Sequence, residues 1–157
     1  MDPNAVAAFL KDEYIFLQNT YEDFDKRALM IKNWSVTVSL VALGLGVQYK
    51  TPLLWALACG ATILFWIIEA KWKSFQYAFA PRIKEIERYF RGEPQPETML
   101  PFQVYSSWSK KYNQQPAWKA TLSNAVLPMV ALPHLLILSA GIGLLFAYYA
   151  LGMSPWN

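Results

Sequence analysis

Two apolar runs separated by only three residues constrain this chain more than any other feature. NWSVTVSLVALGLGVQY and LLWALACGATILFWII, between residues 33 and 68, contain no charged side chain, and Lys50 stands alone in the KTP that joins them. Each run holds about 17 residues, the short end of what a bilayer core demands at a rise of about 1.5 Å per residue. A connection this short returns the second helix antiparallel to the first. Residues 32–69 therefore read as a two-helix transmembrane hairpin.

A third apolar run, AVLPMVALPHLLILSAGIGLLFAYYAL, covers 125–151 and is long enough to span with tilt. Pro128 and Pro133 are expected to bend or delay its first turns. The fold class that follows is an all-α membrane protein: three transmembrane helices, a hairpin plus one, with a cytoplasmic helical stalk. Composition agrees, because a soluble domain of 157 residues that is 55% hydrophobic and 16% aromatic would struggle to cover its apolar surface. Of the 14 Lys and Arg residues only Lys50 lies in the other set of loops; the rest, with all 11 acidic residues, fall before the first run or between the second and third. The positive-inside rule then places the N-terminus and residues 70–124 in the cytoplasm and the C-terminus outside. MDPNAVAAFLKDE lacks the basic and apolar regions of a signal peptide, so the first span is expected to do the targeting. Cys59 is the only cysteine, lies mid-span and reads as a small packing residue.

Residues 1–31 read as a cytoplasmic amphipathic helix. Leu10, Tyr14, Leu17, Tyr21, Phe24, Ala28 and Ile31 recur at alternating spacings of four and three, while Asp12, Glu13, Glu22, Asp23 and Asp25 fall off that seam as a solvated face. Asp2 or Asn4 with Pro3 suits a helix start, and the absence of Gly or Pro from Asn4 to Leu43 predicts one continuous helix entering the bilayer near Lys32 and Trp34. Past the second run, Glu69 and Lys73 stand at the favourable i,i+4 spacing. The apolar pattern continues through Trp72, Phe75, Phe79, Ile83, Ile86 and Phe90, with Pro81 expected to kink or break it. Residues 92–116 read as an aromatic loop packing on the stalk or the membrane surface, so that 70–124 is a cytoplasmic helix and loop. Residues 152–157 form an external tail, with Trp156 a second aromatic anchor.

Chemical grammar is sparse. No Walker loop, dinucleotide fingerprint, nucleophile elbow or CxxC occurs, which argues against an enzyme; no cofactor or metal is implied. The one histidine, His134, lies inside the third run, either as a packed neutral side chain or as part of a proton or ion path. On the first span Asn33, Thr37, Val41 (or Leu40), Gly44 and Gln48 share one stripe, which suits a water-filled path at the centre of an oligomer. The competing reading lets Ser35, Thr37 and Ser39 bond their own helix backbone while small residues tighten packing. Ala56 with Gly60, and Ser139 with Gly143, Ala147 and Ala150, form close-approach faces that point to self-association. Lys71, Lys73, Arg82, Lys84, Arg88 and Arg91, interleaved with aromatics, suit the phosphates and bases of a short oligonucleotide, or equally anionic lipid.

A cytoplasmic helix, a tight hairpin and a basic-aromatic continuation, with KNWSV and IIEAKWKSF at its borders, resemble the compact membrane effectors of bacterial phage defence over residues 10–92. These are the SLATT-type two-transmembrane effectors and the Hailong-type channel subunit; the third span departs from the plain two-transmembrane pattern. The resemblance implies a homo-oligomer in the bacterial inner membrane that opens or disrupts it during infection. A partner nucleotidyltransferase would make the oligonucleotide or cyclic-nucleotide ligand that controls it. The reading reached from the sequence is a homo-oligomeric inner-membrane ion channel of an antiphage system, taken as a tetramer, with ligand sensed on the cytoplasmic side. An anchoring or structural subunit of a larger membrane complex is the alternative, and a small transporter using His134 as a proton relay is a third.

Overall fold

The computed structural model describes residues 2–94 and 99–150, which are all-helical with no strand among them. The expected end of the third span at 151, the external tail and its Trp156 lie outside these residues. The first helix, α1 (Pro3–Gln48), is a single uninterrupted rod of 46 residues. Asp2 caps it by accepting from the Asn4 amide at 3.2 Å, with Pro3 in its first turn where no amide is needed. At its far end the Thr51 amide donates to the Gly46 carbonyl (3.0 Å) and the Lys50 amide to Val47 (3.4 Å). This is a Schellman cap, with Lys50 at φ 49° in the position usually held by glycine. Pro52 then opens α2 (Pro52–Tyr77), so the hairpin turn is as short as its sequence predicts.

Pro81 interrupts the second rod, whose backbone stays right-handed helical across the junction. The chain pauses at Ala78 and Phe79 and restarts as α3 (Ala80–Phe90), with the proline in its first turn. Two short helices follow, α4 (Val104–Tyr112) and α5 (Ala117–Ala125), before α6 (Pro128–Ala150), which carries Pro133 in its interior. Residues 92–116 are thus not a loop throughout. α4 was missed because YSSWSKKY has little intrinsic helix preference; it is held by an aromatic face. Trp108 donates from Nε1 to the Phe75 carbonyl (3.1 Å) and stacks against Tyr112, with ring centroids 5.0 Å apart.

Three helices, α1, α6 and the α2–α3 rod, are long and apolar enough to cross a membrane. In the apolar half of the molecule α6 packs against both arms of the hairpin around Leu43, Trp55, Ala58, Ile137 and Tyr148. Gly46 and Gly141 make that approach possible: a β-carbon at the first would run into the Trp55 ring and at the second into Cys59 Sγ. The opposite half closes over Leu10, Leu17, Ile83, Ile86 and Met99. The seam predicted for residues 1–31 is the inward face of α1 there, from Leu10 to Ile31. Its continuation ends sooner than expected, because Phe90 is about half exposed.

Several charged residues depart from their expected places. Glu13, assigned to the solvated face, is buried against Arg82. Glu69 does not pair with Lys73 along its own helix. It turns toward α1 and α6, while Lys73 turns toward Asp25 and Gln76.

Candidate functional site

The first span presents two polar faces, and they point in opposite directions. Asn33, Thr37, Val41, Gly44 and Gln48 are all exposed on the outside of the protomer, and a β-carbon at Gly44 would meet nothing. Ser35 and Ser39, a turn apart on the inner face, have no exposed surface. The helical period alone produces this split, since residues two apart on a helix sit about 200° apart.

The inward face builds a site. Glu69 of α2 and His134 of α6 are 1% and 0% exposed, with His134 Nε2 at 3.0 Å from Glu69 Oε2. Lys32 of α1 reaches the other carboxylate oxygen at 3.1 Å and also donates to the Met129 carbonyl at 2.7 Å. Ser35 Oγ lies 3.2 Å from His134 Nδ1, and the Trp66 ring stacks on the imidazole at 5.8 Å and 17°. A buried carboxylate needs a cation, and Lys32 supplies it. With Glu69 ionised, Nε2 carries the proton and donates to it, leaving Nδ1 to accept the Ser35 hydroxyl.

One turn deeper, Thr62 Oγ1 donates to the Ala58 carbonyl (2.8 Å), so the Ser39 hydroxyl donates to Thr62 (2.8 Å). Beyond that rung comes the apolar layer of Leu43, Ala58 and Ile137. Ser35, His134 and Glu69 comprise the residue types of a hydrolytic triad, but the serine is completely covered, so no substrate reaches it in this arrangement. What the set can do is hold and exchange protons. Among the described residues no three His, Cys, Asp or Glu side chains converge as metal ligands.

The basic residues predicted as one ligand surface are divided. Arg82 is buried and bidentate on Glu13, from Nε at 2.7 Å and Nη2 at 3.2 Å, and also bonds Glu85 and the Leu100 carbonyl. Lys73 is buried between Asp25 and Gln76. Burial works against the ionised Asp25 carboxyl, yet the bonds from Lys73 and Gln76, with the lysine charge, hold it below its ordinary value. Of the six, Lys71, Lys84, Arg88 and Arg91 remain exposed, Arg88 pairing with Glu93 and Arg91 with Glu87 and Glu93. Arg88 shares a cleft of about 320 Å³ with Lys110 and Lys111 of α4, which the sequence reading did not single out.

The Glu69–His134 contact was also missed, although a signal for it existed. α2 leaves the apolar layer and α6 enters it on the same side of the bundle, so a carboxylate at one boundary and a histidine about two turns into the next helix share a depth. No protein family, no curated protein and no solved structure matches this chain.

Proposed function

We propose that this chain is the subunit of a homo-oligomeric ion channel of the bacterial inner membrane, with the outward stripe of α1 lining the path about the assembly axis. The observation that carries the reading is the exposure of Asn33, Thr37, Gly44 and Gln48 along an otherwise apolar helix. Facing hydrocarbon, the Asn and Gln amides would lose hydrogen bonds that lipid cannot replace. Meeting their copies around water restores those bonds, with Val41 as an apolar constriction between polar rings. The unfilled space at Gly44, Gly60 and Gly143 supports close approach between protomers. The N-terminus and stalk face the cytoplasm in this reading, and four copies remain the working number.

Antiphage service and control by a nucleotide from a partner nucleotidyltransferase rest on the resemblance over residues 10–92. The exposed cations of the predicted cluster are Lys71, Lys84, Arg88 and Arg91, of which Arg88 and Arg91 are already paired with Glu93. Exposed Phe102 and Tyr105 favour the second reading, an anchoring subunit that docks through its stalk.

Recording in planar bilayers separates the two. Asn33→Leu, Thr37→Leu and Gly44→Leu touch nothing in the protomer core, so each should change conductance without disturbing folding. Unchanged conductance in all three removes the pore assignment. Alanine at Lys71, Lys84 and Arg88 together should weaken nucleotide control, and intact control rejects that part.

A further inference from the structure

We propose that the Glu69–His134 pair is a proton-binding site of the three-helix bundle, and that an arriving proton replaces Lys32 as the cation Glu69 requires. The proposal is independent of whether the chain forms a pore. Its basis is the division of one buried carboxylate between two partners: Lys32 holds Oε1 and His134 holds Oε2. Either partner can carry the single positive charge that makes the burial tolerable. Lys32 is the partner with a way out, since its side chain is 22% exposed while the pair itself is covered.

The exchange balances. A proton adds to His134 Nδ1, the Ser35 hydroxyl turns from donating to accepting, and Nε2–H continues to donate to Glu69. The Lys32 ammonium leaves with its charge, so the buried set stays neutral. The groups facing the imidazole are Lys32 (through Glu69) and Ser35 from α1, and Glu69 and Trp66 from α2. The Ser39–Thr62 rung and the Leu43, Ala58 and Ile137 layer close the far side, so the site is loaded and emptied from the Lys32 end rather than run through as a conduit. Loading also breaks the Lys32 bond to the Met129 carbonyl, which ties α1 to the first turn of α6. The site is therefore a clasp between hairpin and third helix that a proton opens.

His134 is the only histidine, so nitrogen-15 histidine labelling of the full chain in lipid nanodiscs reports this imidazole alone. In the parent protein at alkaline pH the neutral ring should show the Nε2–H tautomer. At about pH 6.5, where a free imidazole is half protonated, Lys32→Met should raise the imidazolium-to-imidazole ratio about tenfold, the effect of removing one neighbouring cation. Glu69→Gln should lower it by a similar factor. An equal ratio in the parent and Lys32→Met, or a signal in both that ignores pH, overturns the proposal. Should Lys32→Met not fold, Lys32→Met with Glu69→Gln removes both charges. That double variant should fold with a ring that stays neutral down to pH values at which the parent's is protonated, and a ring that protonates in step with the parent's across the titration overturns the proposal equally.

Discussion

The molecule buries carboxylates deeply in two places, and the two are built to opposite ends. Near the N-terminal end of α1, Glu13 and Arg82 meet as a bidentate pair whose remaining capacity is filled by Glu85, the Leu100 carbonyl and the Phe102 amide. In the apolar half, Lys32, Glu69 and His134 meet as a chain with a hydroxyl at its end. Burial opposes the Arg82 charge, but its bonds to Glu13 and Glu85 outweigh that and raise its proton affinity further. The first set is a permanent lock, fastening residues 100–102 and α3 to α1. The second contains an imidazole, whose two nitrogens can each hold or give up a proton, and a lysine with an exit. The difference teaches that a buried ion pair is structural when its partners are saturated and exchangeable when one of them can leave.

The sharpest way to break this contrast is to remove the arginine. Arg82→Met leaves Glu13 buried without its cation and should cost about 3–5 kcal/mol, read by thermal or denaturant unfolding in detergent. Glu13→Leu combined with Arg82→Met should recover most of the loss, because two apolar groups make no electrostatic demand. A loss below about 1 kcal/mol, the range of an exposed pair, would mean that Arg82 is free after all. It would then return to the ligand surface proposed from the sequence.

A second comparison lies on one helix. Gly46 faces inward beneath Trp55, and Gly44 faces outward into open space. Gly46→Ala should displace the indole, break its Nε1 bond to the Leu43 carbonyl (3.2 Å) and cost about 1–3 kcal/mol. Gly44→Ala should leave the unfolding midpoint of the protomer unchanged. Equal effects would show that the inner and outer faces of the first span are wrongly assigned.

How much of this was legible in the sequence follows the same division. The hairpin, the long first helix, the interruption at Pro81 and the inward seam from Leu10 to Ile31 rest on local pattern and turn chemistry, and those are visible in a single chain. Glu13 was hidden because a charge off an apolar seam looks solvated until a cation 69 residues away reaches it. Glu69 was assigned to Lys73 because i,i+4 neighbours are the partners a linear reading offers. The structure prefers Lys32 and His134, which only the threading of α6 beside the hairpin brings near. The stripe of α1 was legible as a stripe.

The smallest expected effect separates the two halves by pH. Asp25 is held below its ordinary value by Lys73 and Gln76, so its contribution to stability is fully present above about pH 3.9, the unperturbed aspartate value, and is lost as pH falls through the lower folded value. Half exposure of its side chain limits that contribution to about 1 kcal/mol or less. Lys73 keeps Gln76 Oε1 at 2.9 Å and the Tyr77 ring at 5.9 Å when Asp25 is removed. Asp25→Asn should therefore lower the unfolding midpoint slightly at neutral pH and converge with the parent protein in acid, below the ordinary aspartate value. Convergence near neutral pH instead would show that a group other than the Asp25 carboxyl governs the difference.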